Sequence, residues 1–180
     1  MSTLFVNNLN TASGSTITIP TGKKLVGTDS ASIYAPGMVV QVVTSETTTQ
    51  IAGTAGASEV ALGFTGAITP KFSSSKIYVA VNLQAAVTGV MSNYAMGLKV
   101  RRGTSASDAL ILEARFGHYA NQTNVNRELF STIAFADLDS PNTTSAVTYG
   151  TFAINIDQNP NYKISGNSGK STITLMEIAQ

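Results

Sequence analysis

The stretch Ser75-Lys-Ile-Tyr-Val-Ala-Val-Asn-Leu-Gln-Ala-Ala-Val87 decides how this chain folds. Ile77, Val79, Val81, Leu83, Ala85 and Val87 occupy every second position, and Lys76, Tyr78, Asn82 and Gln84 stand between them. Side chains of a strand alternate across the sheet, so the run places six apolar groups on one face. On a helix the same residues would be spread around the cylinder, and the Val, Ile and Tyr content favours the extended form. The run predicts a long core strand, and the rest of the chain must supply the sheets around it.

Working outward, Met38-Val-Val-Gln-Val-Val43 is apolar on both faces and predicts a strand covered on both sides. Residues 44–57 read as loop or edge strand, Leu62–Phe64 and Ala67–Thr69 as strand pieces before Pro70, and residues 88–94 as a turn. Ala95–Arg101 alternates. Ala109–Arg115 has a helical flavour, but Gly103 and Gly117 leave room for only about two turns, so it is assigned as strand. A polar loop at 117–127 precedes strands at Leu129–Leu138 and Ala146–Ile156, joined by Asp139-Ser-Pro-Asn-Thr-Thr144. The chain closes with a strand over Ser171–Gln180. Some eight strands, no long helix and regular turns predict an all-β antiparallel sandwich of the jelly-roll kind over residues 37–180.

Residues 1–36 read differently. Leu4–Val6, Thr16–Ile19 and Leu25–Val26 are short apolar pieces between Asn-, Ser- and Gly-rich turns, each a candidate strand too small to bury much alone. The segment needs a partner surface, and Ala35-Pro36-Gly37 marks the boundary. At the other terminus Ile173 and Leu175 share one face, while Thr174, Met176 and Ile178 share the other. An apolar second face calls for a further layer, most simply a neighbouring subunit.

Only 12% of the 180 residues are charged, against roughly 25% in typical soluble domains, and 42 are Ser or Thr. Hydroxyls replace charges on this surface, which suits pleated sheet. Net charge is +1 and no Lys/Arg run exceeds a pair, which argues against nucleic acid as a partner. No stretch approaches the ~20 apolar residues of a membrane helix, so membrane insertion is not expected, and Met1–Val6 has no signal-peptide character. The absence of cysteine removes disulfides and thiolate metal sites.

The motifs that resemble chemistry are weak. Gly166-Asn-Ser-Gly-Lys-Ser-Thr172 looks like a phosphate loop, but Ile164 stands where that motif needs glycine, and a strand rather than a helix follows; a hairpin turn is the expectation. His118 is the only histidine, with no nucleophile-elbow serine to serve, so no catalytic residue, metal site or cofactor is assigned. Asp137 and Asp139, with Asp157 after the next strand, form the one carboxylate group that a hydrolase or calcium site would need. Asp139-Ser-Pro-Asn reads better as a turn, with Asp137 on a solvated face. Tyr94, His118, Tyr119 and Asn121 gather aromatic and amide groups near loop tips and are the candidate contacts for a glycan or protein receptor.

Several phrases together resemble small virion proteins of tailed bacteriophages, of the head-fibre, tail-fibre and capsid-decoration kinds. They are Met1–Leu9, Ser15–Leu25, Ala35–Val43, Ile68–Pro70 with Ser73–Ile77, Asp139–Tyr149 and Ser171–Ile178. The resemblance implies a non-enzymatic homotrimer located in the virion after synthesis in the host cytoplasm. It further implies that residues 1–36 attach to a capsid or tail protein, and that a jelly roll similar to tumour-necrosis-factor and C1q heads faces outward, against a host-surface glycan or protein in some members. A free carbohydrate-binding lectin module and a glycan hydrolase are the rival readings of the residues.

Overall fold

A computed structural model describes residues 14, 16–27, 33–89, 93–119, 127–157, 160–166 and 169–180. The chain divides into two units, Met1–Ile33 and Tyr34–Gln180. In the first, Lys23 N donates to Pro20 O (3.0 Å) across a turn in which Gly22 takes a left-handed φ of 81°. Thr16–Ile19 and Leu25–Val26 are not strands, contrary to expectation, and Ile17, Ile19, Leu25 and Val26 are exposed. The physical reason is that pieces of two to four residues gain no ladder without a partner strand. Leu4–Val6 lies outside the described residues.

Among the described residues the second unit has ten strands: β1 (Val39–Thr47), β2 (Ile51–Thr54), β3 (Val60–Ile68), β4 (Lys76–Gly89), β5 (Asn93–Arg102), β6 (Ala109–Tyr119), β7 (Arg127–Asp139), β8 (Val147–Asp157), β9 (Asn161–Ile164) and β10 (Ser171–Ile178). All pairings between them are antiparallel. One sheet runs β3-β8-β5-β6. In the other, β4 is flanked by β7 along its whole length and on its opposite side by β10 (residues 76–82) and then β9 (85–88). β1 and β2 lie in turn outside β10 and β9. The ten strands therefore fill eight positions, and their order is that of a jelly roll.

β9 and β10 are thus one strand position interrupted by a loop, and Ser165 and Ser171 close the break. Ser165 N donates to Gln84 O (2.8 Å), Gln84 N donates to Ser171 Oγ (3.1 Å), and the two hydroxyls bond each other at 2.8 Å. Gly166–Thr172 accordingly does not make the expected hairpin, because the strands on either side of it lie end to end. The short β9 has little signature in the sequence; only Tyr162 and Ile164, two residues apart after Pro160, announce it.

The alternation in β4 builds the core. Ile77, Val79, Val81, Leu83, Ala85 and Val87 are all buried, facing Met96, Leu98 and Val100 of β5 and Leu62, Phe64 and Ile68 of β3 across the sandwich. Burial of each large side chain contributes about 1.5–3 kcal/mol. Gly66 is required where β3 crosses β10, since a Cβ there would stand 2.9 Å from the Ile173 side chain. Ala109–Arg115 is strand, as assigned. β1, however, is an edge strand: Val39 and Val42 are about half exposed (50% and 54%), so within one chain Met38–Val43 is not covered on both sides.

Ala35–Met38 forms a turn with Met38 N donating to Ala35 O (3.0 Å) and Gly37 at φ 85°, the conformation that a Pro-Gly pair favours. Gly37 N donates to Ala179 O (2.8 Å), tying the turn to the end of β10. The division between units consequently falls just before Tyr34, and the turn belongs to the sandwich.

Leu83→Ala is expected to lower the unfolding free energy by about 3 kcal/mol in urea titrations. A loss below about 1 kcal/mol would show that the inner row of β4 is not the core.

Candidate functional site

Register sorts the sandwich into two ends. Ala35–Met38, residues 69–75, 103–108 and 140–146, and the chain terminus after Ile178 lie at the end where the chain enters, which is here called proximal. The strand ends Gly89, Asn93, Tyr119, Arg127, Asp157 and Asn161 gather at the opposite, distal end. Of the candidate receptor residues, Tyr94 and His118 are direct partners at the distal end of the β5–β6 ladder, and Tyr119 pairs with Asn93 one step beyond. Asn121 lies outside the described residues.

The two outer faces of the sandwich differ in kind. On the β3-β8-β5-β6 sheet Glu59 accepts from Lys99 Nζ (2.7 Å) and, through both oxygens, from Arg101 Nε and Nη2 (2.7 Å each). Lys99 also approaches Glu113 (3.6 Å), which approaches Arg115 (3.4 Å). The Arg101 bonds chiefly, with Lys99, hold the Glu59 carboxyl at about 2 despite the opposing cost of its burial. Phe152, on the same face, is fully covered. These charges cover the middle of this face, while Leu110, opposite Arg101 in the ladder, and Ile156 remain exposed at its borders.

The outer face of the β4 sheet keeps its charges to the margins, with Glu46 paired to Lys170 (2.8 Å), Glu128 paired to Lys163 (2.6 Å) and Lys76 at the start of β4, and its middle is uncharged. Reading across the strands, one row is Val42, Met176, Tyr78 and Leu138; the next is Thr44, Thr174, Ala80 and Ala136; then come Glu46, Thr172, Asn82 and Ala134. Gln84 with Thr132 and Ala86 with Phe130 follow, Gln84 Nε2 donating to Thr132 Oγ1 at 2.5 Å. The large first row makes a ridge. Beyond it the small residues leave a furrow of about 460 Å3 lined by Tyr78, Ala80, Asn82, Ala134, Ala136, Thr172 and Thr174, among others. Thr174, Met176 and Ile178, the candidate interface residues, all stand half-exposed on this face. Leu138 and Phe130 are exposed by about half (48% and 50%).

The carboxylates separate by role. Asp137 is exposed, but it pairs with Val79 on the core-facing row of β7 rather than on the solvated face expected, and Asp139 is more than a turn residue: it is buried, accepts from Arg102 Nε (2.8 Å) and Nη2 (2.5 Å), and takes a third bond from Tyr149 OH (2.7 Å). This joins β7 of one sheet to β5 and β8 of the other. Burial first, then the Asp139 carboxylate, pushes the Tyr149 hydroxyl far above its ordinary range. An aspartate with three of its roughly four lone-pair directions engaged by structural donors is poorly placed to act as base or nucleophile. Glu177, also buried, accepts from Lys71 N (2.8 Å), Phe72 N (3.1 Å) and Gln41 Nε2 (2.6 Å), holding the loop before β4. Among the described residues no three His, Cys, Asp or Glu side chains cluster as a metal site.

No protein family and no curated protein matches this chain. Among solved structures it is similar to infectious bursal disease virus capsid protein: the VP2 subviral particle aligns with a TM-score of 0.36 and 11% identity over 87% of this chain. The Gx strain of the same virus gives 0.37 and 10% over 87%. Eiger TNF from S. frugiperda gives 0.31 and 14% over 59% of this chain and 61% of that one. The chain spans 42% of either viral chain. Scores of this size carry no function across.

Two measurements test the electrostatics. The folded Glu59 carboxyl lies below its unfolded value, so its contribution is present above pH ~4.5 and is lost as pH falls towards 2. Between pH 5 and 2 the parent should lose about 2 kcal/mol more stability than Glu59→Gln; equal losses would contradict the ion cluster. Asp139→Ala should cost about 3 kcal/mol in chemical denaturation, because Arg102 and Tyr149 are left unpaired.

Proposed function

We propose that this chain is a non-enzymatic structural protein of a tailed-bacteriophage virion, a homotrimeric appendage of the head-fibre, capsid-decoration or short tail-fibre kind. Residues 1–36 attach it to a capsid or tail protein of the same particle. The jelly roll stabilises the particle surface or meets a host glycan or protein with its distal end, where Tyr94 and His118 are paired. The placement in a virion draws on the sequence phrases set out above.

The observation that carries self-association is the contrast between the outer faces. One carries the Glu59, Lys99 and Arg101 cluster across its middle, while the middle of the other presents Ala, Thr, Val, Met and Leu, with charges only at its margins. Apolar patches of this extent on soluble domains commonly mark a contact surface. A neighbouring subunit also supplies the second cover that Met38–Val43 lacks within one chain. The polypeptide enters at the proximal end, which leaves the opposite end for outward contacts.

A carbohydrate-binding module is the second reading, favoured by the furrow itself: Tyr78 offers a ring, and Asn82, Thr172 and Thr174 offer amide and hydroxyl groups to a neutral sugar.

Size-exclusion chromatography with light scattering separates the two. The parent should run at the mass of three chains or a multiple of three at micromolar concentration, and Ala80→Glu in the middle row should reduce that mass at least to a smaller assembly while preserving far-ultraviolet circular dichroism. A parent that is a single chain overturns the trimer, and saturable glycan binding abolished by Tyr78→Ala would establish the second reading. Removal of residues 1–36 should abolish incorporation into particles; a truncated protein that still entered them would remove the attachment role.

A further inference from the structure

Every sheet edge exposes unpaired backbone donors and acceptors, and natural proteins guard such edges with bulges, glycine, proline or charge. Three of the four edges here are guarded. The β1 edge has a register break between Val39 and Gln41, carries Glu46, and is interrupted before β2. β3 breaks register between Ala61 and Thr65, with Gly63 at φ 72°. β6 carries Glu113 and Arg115, and its ladder with β5 breaks at Val100/Arg101.

β7 carries its charges only towards its ends, Arg127 and Glu128 at one and Asp137 and Asp139 at the other, and has none of these devices over its eight middle residues. It pairs with β4 from Arg127 opposite Gly89 to Asp139 opposite Ile77 without a register break. Residues 129–136, Leu-Phe-Ser-Thr-Ile-Ala-Phe-Ala, contain no charge, proline or glycine. Among the described residues β4 is its only ladder partner. Its inner side chains Leu129, Ile133 and Phe135 pack on the core yet remain only half-buried.

We propose that β7 pairs antiparallel with β7 of a second copy about a twofold axis at Thr132, so that the two β4 sheets become one. The occupant follows from the strand's own sequence. A strand must keep inner residues beside inner residues, which restricts the axis to a residue position rather than a point between two. With the axis at Thr132, Arg127 stands opposite Asp137, Leu129 opposite Phe135, Phe130 opposite Ala134, and Thr132 opposite itself. These four oppositions are favourable, namely opposite charges, two half-buried apolar groups, a large outer group beside a small one, and a threonine pair, while Glu128 opposite Ala136 and Ser131 opposite Ile133 are neutral. Moving the axis to Ile133 sets Leu129 against Asp137, and moving it to Ser131 sets Arg127 against Phe135. Only the Thr132 register among these satisfies the charges and the core-facing row together. The contact is isologous and closed. It is independent of the threefold contact through the outer face and does not rest on it.

The cysteine-free chain makes the test direct. Directly opposed residues of an antiparallel pair have Cα atoms about 4.5–5.5 Å apart, within disulfide range. Thr132→Cys should therefore form covalent pairs under mild oxidation, at a yield at least about tenfold above Thr65→Cys on the exposed β3 edge of the other sheet, which measures chance collision. Adding Arg127→Glu should cut the yield about fivefold or more, by placing like charges opposite one another twice across the axis. Adding Asp137→Arg to that variant should restore it. A Thr132→Cys yield no higher than the β3 control overturns the proposal, as does failure of the charge exchange to restore pairing in a variant whose circular dichroism matches the parent. The readout is covalent pairing rather than total mass, so a failed trimer leaves it interpretable.

Discussion

The constraint on which this structure depends is the two-sided pairing of β4. It alone in its sheet has a ladder partner along one whole edge, β7, and two successive partners, β10 and β9, along the other. A strand so placed cannot shift by one residue without exchanging its faces, which would move Ile77, Val79, Val81 and Leu83 from core to surface. Its period-two pattern therefore sets the faces of its neighbours as well. Ile173 and Leu175 lie inward because they pair with Val81 and Val79, and Thr174 and Met176 lie outward because they pair with Ala80 and Tyr78. The exposed apolar face is a consequence of the same register that makes the core.

Polar groups are then used to fasten the places where ladder pairing stops. At the gap between β9 and β10 the hydroxyls of Ser165 and Ser171, with the Gln84 backbone, replace the missing ladder bonds. At the proximal end Glu177 gathers two backbone amides of the loop before β4, and Asp139 clasps Arg102 and Tyr149 from the facing sheet. A buried carboxylate is costly unless its acceptor positions are filled, and each of these has three donors. Their work is to hold loops and sheets in place, which accounts for acidic residues that otherwise invite a catalytic reading.

How much of this was legible in the sequence follows from what periodicity encodes. Alternation records which side chains of one strand share a face, so β4, β5, β7 and β8, the inner row of the core and the outward placing of Thr174, Met176 and Ile178 could be read directly. Alternation says nothing about what lies across the sheet. Asp139 therefore read as a turn residue, because its partners Arg102 and Tyr149 come from other strands, one of them far along the chain. Glu59, in a stretch of small residues, gave no sign that Lys99 and Arg101 would converge on it. β9 has four residues, too few for a pattern. Met38–Val43 shows the limit from the other side: apolar faces report that cover is needed, and the single chain supplies only one.

That last mismatch leads to the outer surface as a whole. A chain with so few charged residues places much of its ion pairing on one outer face, in the Glu59 cluster, and spends two more acids inside the fold. The face bearing Val42, Met176, Tyr78 and Leu138 and the edge over Leu129–Ala136 are left without the charge that would keep them apart from other proteins. In a freely diffusing monomer such surfaces invite uncontrolled association, since a regular uncharged edge accepts any extended segment and an apolar face any flat one. Defined self-contacts remove both hazards at once, because each surface is then occupied by a copy present at the same concentration as itself. The proposed association of the chain with its own kind rests on that same scarcity of charge over these surfaces.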